Sequence, residues 1–472
     1  MVASALWRLV ARRQGSKSTI IRPLTSTKMS SSTASIHWKQ GSSIGTDKEM
    51  IAANHRLLPK NSVVTGLSQH QSTLLSNLST STSQSQRLYS TTTTVSQAQA
   101  MKDEYGAMDD SGHTYIYDGA FALENGAVLR DAQLRYQTYG SLNADRSNVV
   151  VVCHALTGNA SLHAWWGDLL GPGRAFDTDR YFIVCSNILG SCYGSTGPAS
   201  INPATGKVYG PDFPDVSVKD TVRLQLLMLQ NDLEVNSIQA VIGGSFGGMQ
   251  AMEYAAQAGS STYGDFFSKD GAPLLRSVVP IACGAAHTAW QIGVSEVQRQ
   301  AIYKDPRWAS GRPNQATAGL EVARQIGMIS YRTPLGYEGK FSRAKQTAES
   351  PAYGSAAHWK VKSYLEYQGV KFLDRFDPVT YVKMTEQMDS HDLARGRAET
   401  TDLVLNEIQI PALIMGIDSD VLYPLYEQEH LAKHMPNGEL KVIRSDDGHD
   451  GFLLEQDQVG QHITNFLAKF DS

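Results

Sequence analysis

The residues best suited to covalent chemistry lie in Val241-Ile242-Gly243-Gly244-Ser245-Phe246-Gly247-Gly248-Met249-Gln250. An apolar run leads straight into G-x-S-x-G, and a helix-forming stretch, 249–258, follows. In a strand–turn–helix context this pattern bends the chain so sharply that only residues without a bulky Cβ fit beside the serine. Gly243 and Gly247 supply that room, and Ser245 stands at the head of a helix whose dipole favours developing negative charge. A serine hydroxyl is a weak nucleophile and needs a base. His449, in Asp447-Gly448-His449-Asp450, follows an apolar run and precedes the last helical stretch. An acid must orient it, and Ile417-Asp418-Ser419-Asp420 follows another apolar run. Either Asp418 or Asp420 could serve; Asp420 is favoured because the acid usually lies a few residues past the strand end. The expected roles are Ser245 as nucleophile, His449 as base, and Asp420 as the group that fixes the imidazole tautomer and stabilises its cation. Two main-chain N–H groups would hold the oxyanion. One is that of Phe246, next to the nucleophile. The other is assigned to Leu156, in His154-Ala155-Leu156-Thr157-Gly158.

The elements that must position these groups read as short apolar runs: 149–153 (VVVVC), 181–185 (YFIVC), 238–242 (IQAVI), 275–281 (LRSVVPI), 411–416 (PALIMG) and 440–443 (LKVI). Continuous rather than alternating apolar character predicts parallel strands covered on both faces. Strands alternating with helices give an α/β class. The order Ser, acid, His along the chain is that of the α/β-hydrolase fold, with a mostly parallel central sheet. A hairpin is expected around Asn125-Gly126, and an extended surface loop at 259–273. Residues 287–400 lack strand-like runs and read as an inserted helical lid. The catalytic domain is then 113–286 with 401–472.

Other constellations carry less. His163 and Asp168 match H-x-x-x-x-D, but two fixed positions are weak evidence, and Trp165 and Trp166 between them suggest a pocket wall. His430 and His434 fall in a helical stretch and read as a solvated face. The four cysteines, Cys153, Cys185, Cys192 and Cys283, include no C-x-x-C, and no His/Cys cluster has zinc spacing, so no metal is expected. No Walker A motif and no complete G-x-G-x-x-G is present.

The 472-residue chain is 41% hydrophobic with mean hydropathy −0.28. No apolar run approaches the ~18 residues of a membrane span. A net charge of −4 and a pI near 6.4 argue against nucleic-acid binding. The average conceals a split. Residues 1–90 hold 11 Lys and Arg, only Asp47 and Glu49 as acids, and 28 Ser or Thr; the remainder has a net charge of −13. Basic, Ser-rich, acid-poor composition is that of an organellar transit segment. Leu6, Leu9 and Val10 lie at helical spacing with Arg8 and Arg12 offset, and Arg87-Leu88-Tyr89-Ser90 resembles a matrix processing site. Residues 1–89 are therefore expected to direct the chain to the mitochondrial matrix, with cytoplasm as the alternative, and 90–112 to be a linker.

From about Tyr115 onwards the sequence resembles the homoserine O-acetyltransferase family. The likeness rests on HALTG (154–158), WWG (165–167), FDTDRYFIVCSNILGSCYGSTGP (176–198), YGPDFP (209–214), GGSFGGMQ (243–250), SYLEYQGVKFLDRFD (363–377) and DGHDGFLLE (447–455). The resemblance implies the Ser245, Asp420 and His449 roles. It further implies that Arg324 and Asp450 hold an amino-acid substrate, whose carboxylate suits Arg324 and whose ammonium suits Asp450. It implies a ping-pong transfer from acetyl-CoA to homoserine, no bound cofactor, and a homodimer. Two features depart from the family pattern: Phe246 where Met is common, and a longer 259–273 loop. Related branches acylate serine or use a succinyl donor, and water as acceptor would make an esterase.

Overall fold

The computed structural model describes residues 112–345 and 359–470. The expected transit segment, 1–89, and almost all of the linker lie outside them. Eight strands form one sheet in the order β1-β4-β6-β5-β9-β10-β11-β12. They are β1 (His113–Ile116), β4 (Gln133–Tyr139), β5 (Val149–Cys153), β6 (Phe182–Ser186), β9 (Ile238–Gly244), β10 (Val278–Ile281), β11 (Ala412–Ile417) and β12 (Gly438–Ile443). Between them, β2 (Ala120–Ala122) and β3 (Val128–Arg130) make the hairpin around Asn125-Gly126, and β7 (Ile201–Asn202) pairs with β8 (Lys207–Val208). β1, β4 and β6 pair antiparallel; β6, β5, β9, β10, β11 and β12 run parallel.

The VVVVC run is apolar throughout because both faces of β5 are covered. Val149, Val151 and Cys153 enter one core, and Val150 and Val152 enter the other. That is the period-two alternation of a strand with no solvent face. Of the expected strands only 149–153 keeps its limits; the others shift by one to three residues at an end. β6 is shifted by one residue. The ladder of β10 starts at Val278, and Leu275 forms only an isolated bridge to Ile238.

From β5 the chain moves to β6 on one side, then crosses to β9 on the other. The carboxyl ends of β5 and β9 therefore flank a topological switch point, where crevices form in open α/β sheets. Two helices cover this region. α1 (Val218–Asn231) starts with a capping box in which Ser217 and Asp220 satisfy each other's main-chain N–H. α2 (Phe246–Ala258) begins directly after Ser245, three residues earlier than the sequence implies, and every residue in it is buried.

Between β10 and β11 the described chain is helical: α3 (Ala289–Tyr303), α4 (Pro306–Ala309), α5 (Thr317–Ser330), α6 (Pro334–Phe341), α7 (Lys360–Phe372), α8 (Pro378–Asp389) and α9 (Thr401–Asn406). α3 packs on α5, and α5 on α7. The chain ends with α10 (Leu425–His434), α11 (Gly451–Leu454) and α12 (Gln456–Leu467). A buried ion pair ties the segment after α8 to α2. Arg397 Nη2 meets Glu253 Oε1, and Nη1 lies 3.1 Å from Oε2, with both side chains about 95% buried. Removing one partner of such a pair leaves an uncompensated buried charge, which costs about 3–5 kcal/mol. Arg397→Met is expected to lower urea-unfolding stability by about that amount. Arg397→Met combined with Glu253→Leu should recover most of it. Equal losses in the single and double variants would contradict this reading.

Candidate active site

The turn after β9 is set by contacts that admit no side chain. A Cβ on Gly243 would lie 2.2 Å from Gly247 O, and one on Gly247 2.1 Å from Cys153 O. Between them Ser245 takes φ 59° and ψ −123°. A non-glycine residue in this region is strained and persists only where its surroundings over-determine it. The Ser245 N–H donates to Ile281 O at 2.9 Å, which anchors the turn to the neighbouring strand β10.

Two loops at the same sheet end bring the other groups. After β11, Asp420 is buried and its Oδ1 accepts from the Leu422 and Tyr423 N–H groups at 2.8 and 2.9 Å. Its Oδ2 lies 2.7 Å from His449 Nδ1, after β12. The alternative acid, Asp418, is turned away: its Oδ2 pairs with Arg444 at 3.1 Å, and its Oδ1 accepts from Ser445 N–H. The His449 ring is 4% exposed, stacked on Tyr423 at 4.9 Å and met edge-on by Phe452 at 5.5 Å. Phe452 also lies where a Cβ on Gly244 would fall, so one ring spans the space between the elbow and the imidazole. Trp166 backs it, edge-on at 6.2 Å, with its indole N–H 3.3 Å from Phe452 O. The tryptophan pair thus packs behind the site, while His163 meets Tyr139, at the end of β4. His449 Nε2 is buried and has no hydrogen-bond partner among the described residues. The Asp–His bond is therefore formed, and Nε2 is open to a proton donor; a serine–histidine bond commonly tightens only with substrate bound.

The Phe246 and Leu156 N–H groups find no acceptor among the described residues. Phe246 is the first residue of α2, where main-chain N–H groups lack intrahelical partners. Leu156 lies in a turn closed by Gly158 N–H on Ala155 O at 2.9 Å. Two residues that the motifs do not single out hold this loop. Buried His154 accepts from Ile188 N–H on Nε2, so Nδ1 carries the proton and donates to Ala155 O at 2.8 Å. Burial holds its pKa down at about 4, keeping the ring neutral. Gln250 Nε2 lies 3.2 Å from both His154 O and Phe246 O, linking the loop to α2.

Arg324, on α5, lies over the Phe372 ring at 5.0 Å and forms no ion pair among the described residues. Asp450, beside His449, is half-buried. Burial pushes its carboxyl up, opposed by the charges of Arg332, His449 and Arg324. Arg332, absent from the sequence expectation, holds Asp450 Oδ2 at 2.7 Å from Nε and Asp447 Oδ1 at 2.5 Å from Nη1. Asp450 therefore already has a cationic partner, whereas Arg324 forms no ion pair among the described residues.

The fold and site define a class: residues 148–456 match the family model described as the alpha/beta hydrolase fold. Solved structures agree at the level of fold. Esterase E22 aligns with a TM-score of 0.65 at 22% identity, over 75% of this chain and 100% of its own. Homoserine O-acetyltransferase from Bacillus anthracis aligns with a TM-score of 0.67 at 24% identity, over 75% and 97%. A curated relative narrows the class. The homoserine O-acetyltransferase of Salinibacter ruber is 46% identical over 353 residues, covering 74% of this chain and 96% of the relative. The chain belongs to the homoserine O-acetyltransferase family.

One carboxyl behind the site has a measurable signature. Glu427, on α10, accepts from Gln291 Nε2 at 2.7 Å, and its other oxygen is buried without a partner. Burial pushes its pKa up to about 7, with Gln291 opposing and the Asp420 charge adding. Its folded value thus exceeds its unfolded value of ~4.3. Its stabilising contribution is complete below that unfolded value and is lost as pH rises through about 7. Relative to Glu427→Gln, the thermal midpoint of the wild type is expected to fall as pH rises from about 5 to about 8. Parallel profiles would contradict the assignment.

Proposed function

We propose that this chain moves the acetyl group of acetyl-CoA to the side-chain hydroxyl of L-homoserine through an acyl-Ser245 intermediate. The reading is carried by one observation: a strained serine at a parallel-sheet switch point, with the Asp420–His449 pair on adjacent loops, in a chain 46% identical to a homoserine O-acetyltransferase. In the first half-reaction Ser245 Oγ attacks the thioester carbonyl as His449 Nε2 takes its proton. The Phe246 and Leu156 N–H groups receive the oxyanion. The C–S bond breaks, and the imidazolium returns the proton to the CoA sulfur. In the second, the homoserine hydroxyl gives its proton to His449 and attacks the acyl carbon. Ser245 Oγ leaves and recovers the proton. Asp420 holds the tautomer and stabilises the cation in both halves.

Arg324 is the residue free to pair with the substrate carboxylate. Asp450 would take the ammonium while keeping Arg332 as its second partner. The homodimer is a further proposal, supported by exposed apolar side chains along the lid, including Trp290, Val297, Ile329, Leu335 and Val370. No helix among the described residues is long and apolar enough to cross a membrane. We also propose that residues 1–89 address the chain to the mitochondrial matrix, on their composition and local sequence pattern. A fusion of those residues to a fluorescent protein should label mitochondria, and diffuse cytoplasmic label would reject the address.

The function is tested by CoA thiol release from acetyl-CoA with homoserine, with serine, or with no acceptor. Sustained release is expected only with homoserine. Release dependent on serine would move the acceptor, and equal release without either would make the chain a hydrolase. Arg324→Ala tests the carboxylate contact separately. A lost charge-assisted pair is worth ~1.5–3 kcal/mol, or roughly 10–150-fold. The homoserine KM should rise by about that factor, while the first-turnover burst of CoA stays at the wild-type rate. A slowed burst with an unchanged homoserine KM would contradict the assignment.

A further inference from the structure

Three metal-ligating side chains meet where α10 packs on α9, outside the residues assigned to the reaction just described. His430 and His434 are four residues apart on that helix, so their rings share one face. Asp402, in the first turn of α9, reaches across to both. Its Oδ1 lies 3.0 Å from His430 Nε2 and its Oδ2 3.7 Å from His434 Nδ1. The two ring centroids are 4.6 Å apart. One ligand atom from each residue falls within a 4.8 Å span, and all three side chains are half-buried. The spacing along the chain supplies only two ligands, His-x-x-x-His. The third comes from 28 residues upstream through tertiary packing, so no local motif marks the cluster.

We propose that Asp402, His430 and His434 form a binding site for a zinc-class divalent transition metal. Two imidazole nitrogens and one carboxylate oxygen are a borderline donor set. It suits Zn²⁺, with Ni²⁺ and Cu²⁺ as competitors, and does not suit the all-oxygen preferences of Mg²⁺ or Ca²⁺. Three protein ligands leave a fourth tetrahedral position to solvent. Without a metal, the same geometry places two histidines beside one shared carboxylate at ion-pair distances. The two states differ in protons: a metal requires both ligating nitrogens to be unprotonated, so binding must release protons and weaken as pH falls below the usual histidine range.

The consequence is structural. α9 closes the helical segment that follows β10, and α10 begins immediately beyond the Asp420 loop. A metal shared by the two helices would fasten the end of that segment to the element behind the triad acid. Binding to the folded state alone would stabilise the protein by mass action.

The test uses the full chain, free of any affinity tag, titrated with Zn²⁺ by calorimetry and with Co²⁺ by visible absorption. One saturable site per chain is expected, with the intense ligand-field bands of tetrahedral cobalt, a rise in thermal midpoint, and affinity that falls with pH. Asp402→Asn keeps the side-chain shape and should weaken binding at least tenfold, as should His430→Ala and His434→Ala separately. Circular dichroism and CoA release in each variant should match the wild type, since none of the three belongs to the catalytic machinery. No saturable binding, or binding that survives all three substitutions because other histidines supply it, would overturn the proposal. A variant that fails to fold is replaced by His430→Gln, which removes the ligand and keeps a polar side chain.

Discussion

The site depends on a close approach of main chain to main chain. Gly247 lies so near Cys153 O, and Gly243 so near Gly247 O, that neither tolerates a Cβ. The approach locks the ends of β5 and β9 together and forces Ser245 to a positive φ. It also aligns the first N–H groups of α2 with the turn that follows β5. Everything else converges on that corner. The parallel register places the Ser245, Asp420 and His449 loops at one sheet end, although the Asp and His lie roughly 175 and 200 residues further along the chain. Neutral His154 and the Gln250 bridge hold the facing loop at a fixed distance from α2.

Electrostatics then divide the labour. Asp420 receives two main-chain N–H groups as well as the imidazole, so its charge is compensated where it is buried. His449 sits between Tyr423 and Phe452, with its second nitrogen left for a proton. Further out, Arg332 neutralises Asp447 and Asp450. Arg324 has no such partner and rests on an aromatic ring. A cation without an ion-pair partner is suited to receiving a carboxylate from a substrate, which is the role the proposed function gives Arg324.

Much of this was legible in the residues. G-x-S-x-G after an apolar strand carries its own geometric reason, and runs such as VVVVC announce strands with two covered faces. The fold order predicted where the acid and base must lie, and Asp420 was separable from Asp418 by its distance past the strand. What escaped the sequence depends on tertiary packing. Arg332 has no motif and acquires meaning only because α5 ends beside the His449 loop. Glu427 belongs to no motif and matters only because the fold buries it. Gln250 belongs to the elbow motif, but nothing in its type says that it bridges two carbonyls. His430 and His434 read as a solvated helix face, because two residues on one helix give no signal for Asp402 on another.

The central claim is that Ser245 carries the acetyl group between donor and acceptor. It is tested most directly by intact-mass and peptide mass spectrometry of protein mixed with acetyl-CoA in the absence of any acceptor and quenched in acid. The account predicts an added mass of one acetyl group, located on the peptide containing Ser245 and removed on adding homoserine with formation of O-acetylhomoserine. No adduct under conditions where transfer still proceeds, or an adduct on another residue that discharges at the catalytic rate, would contradict it.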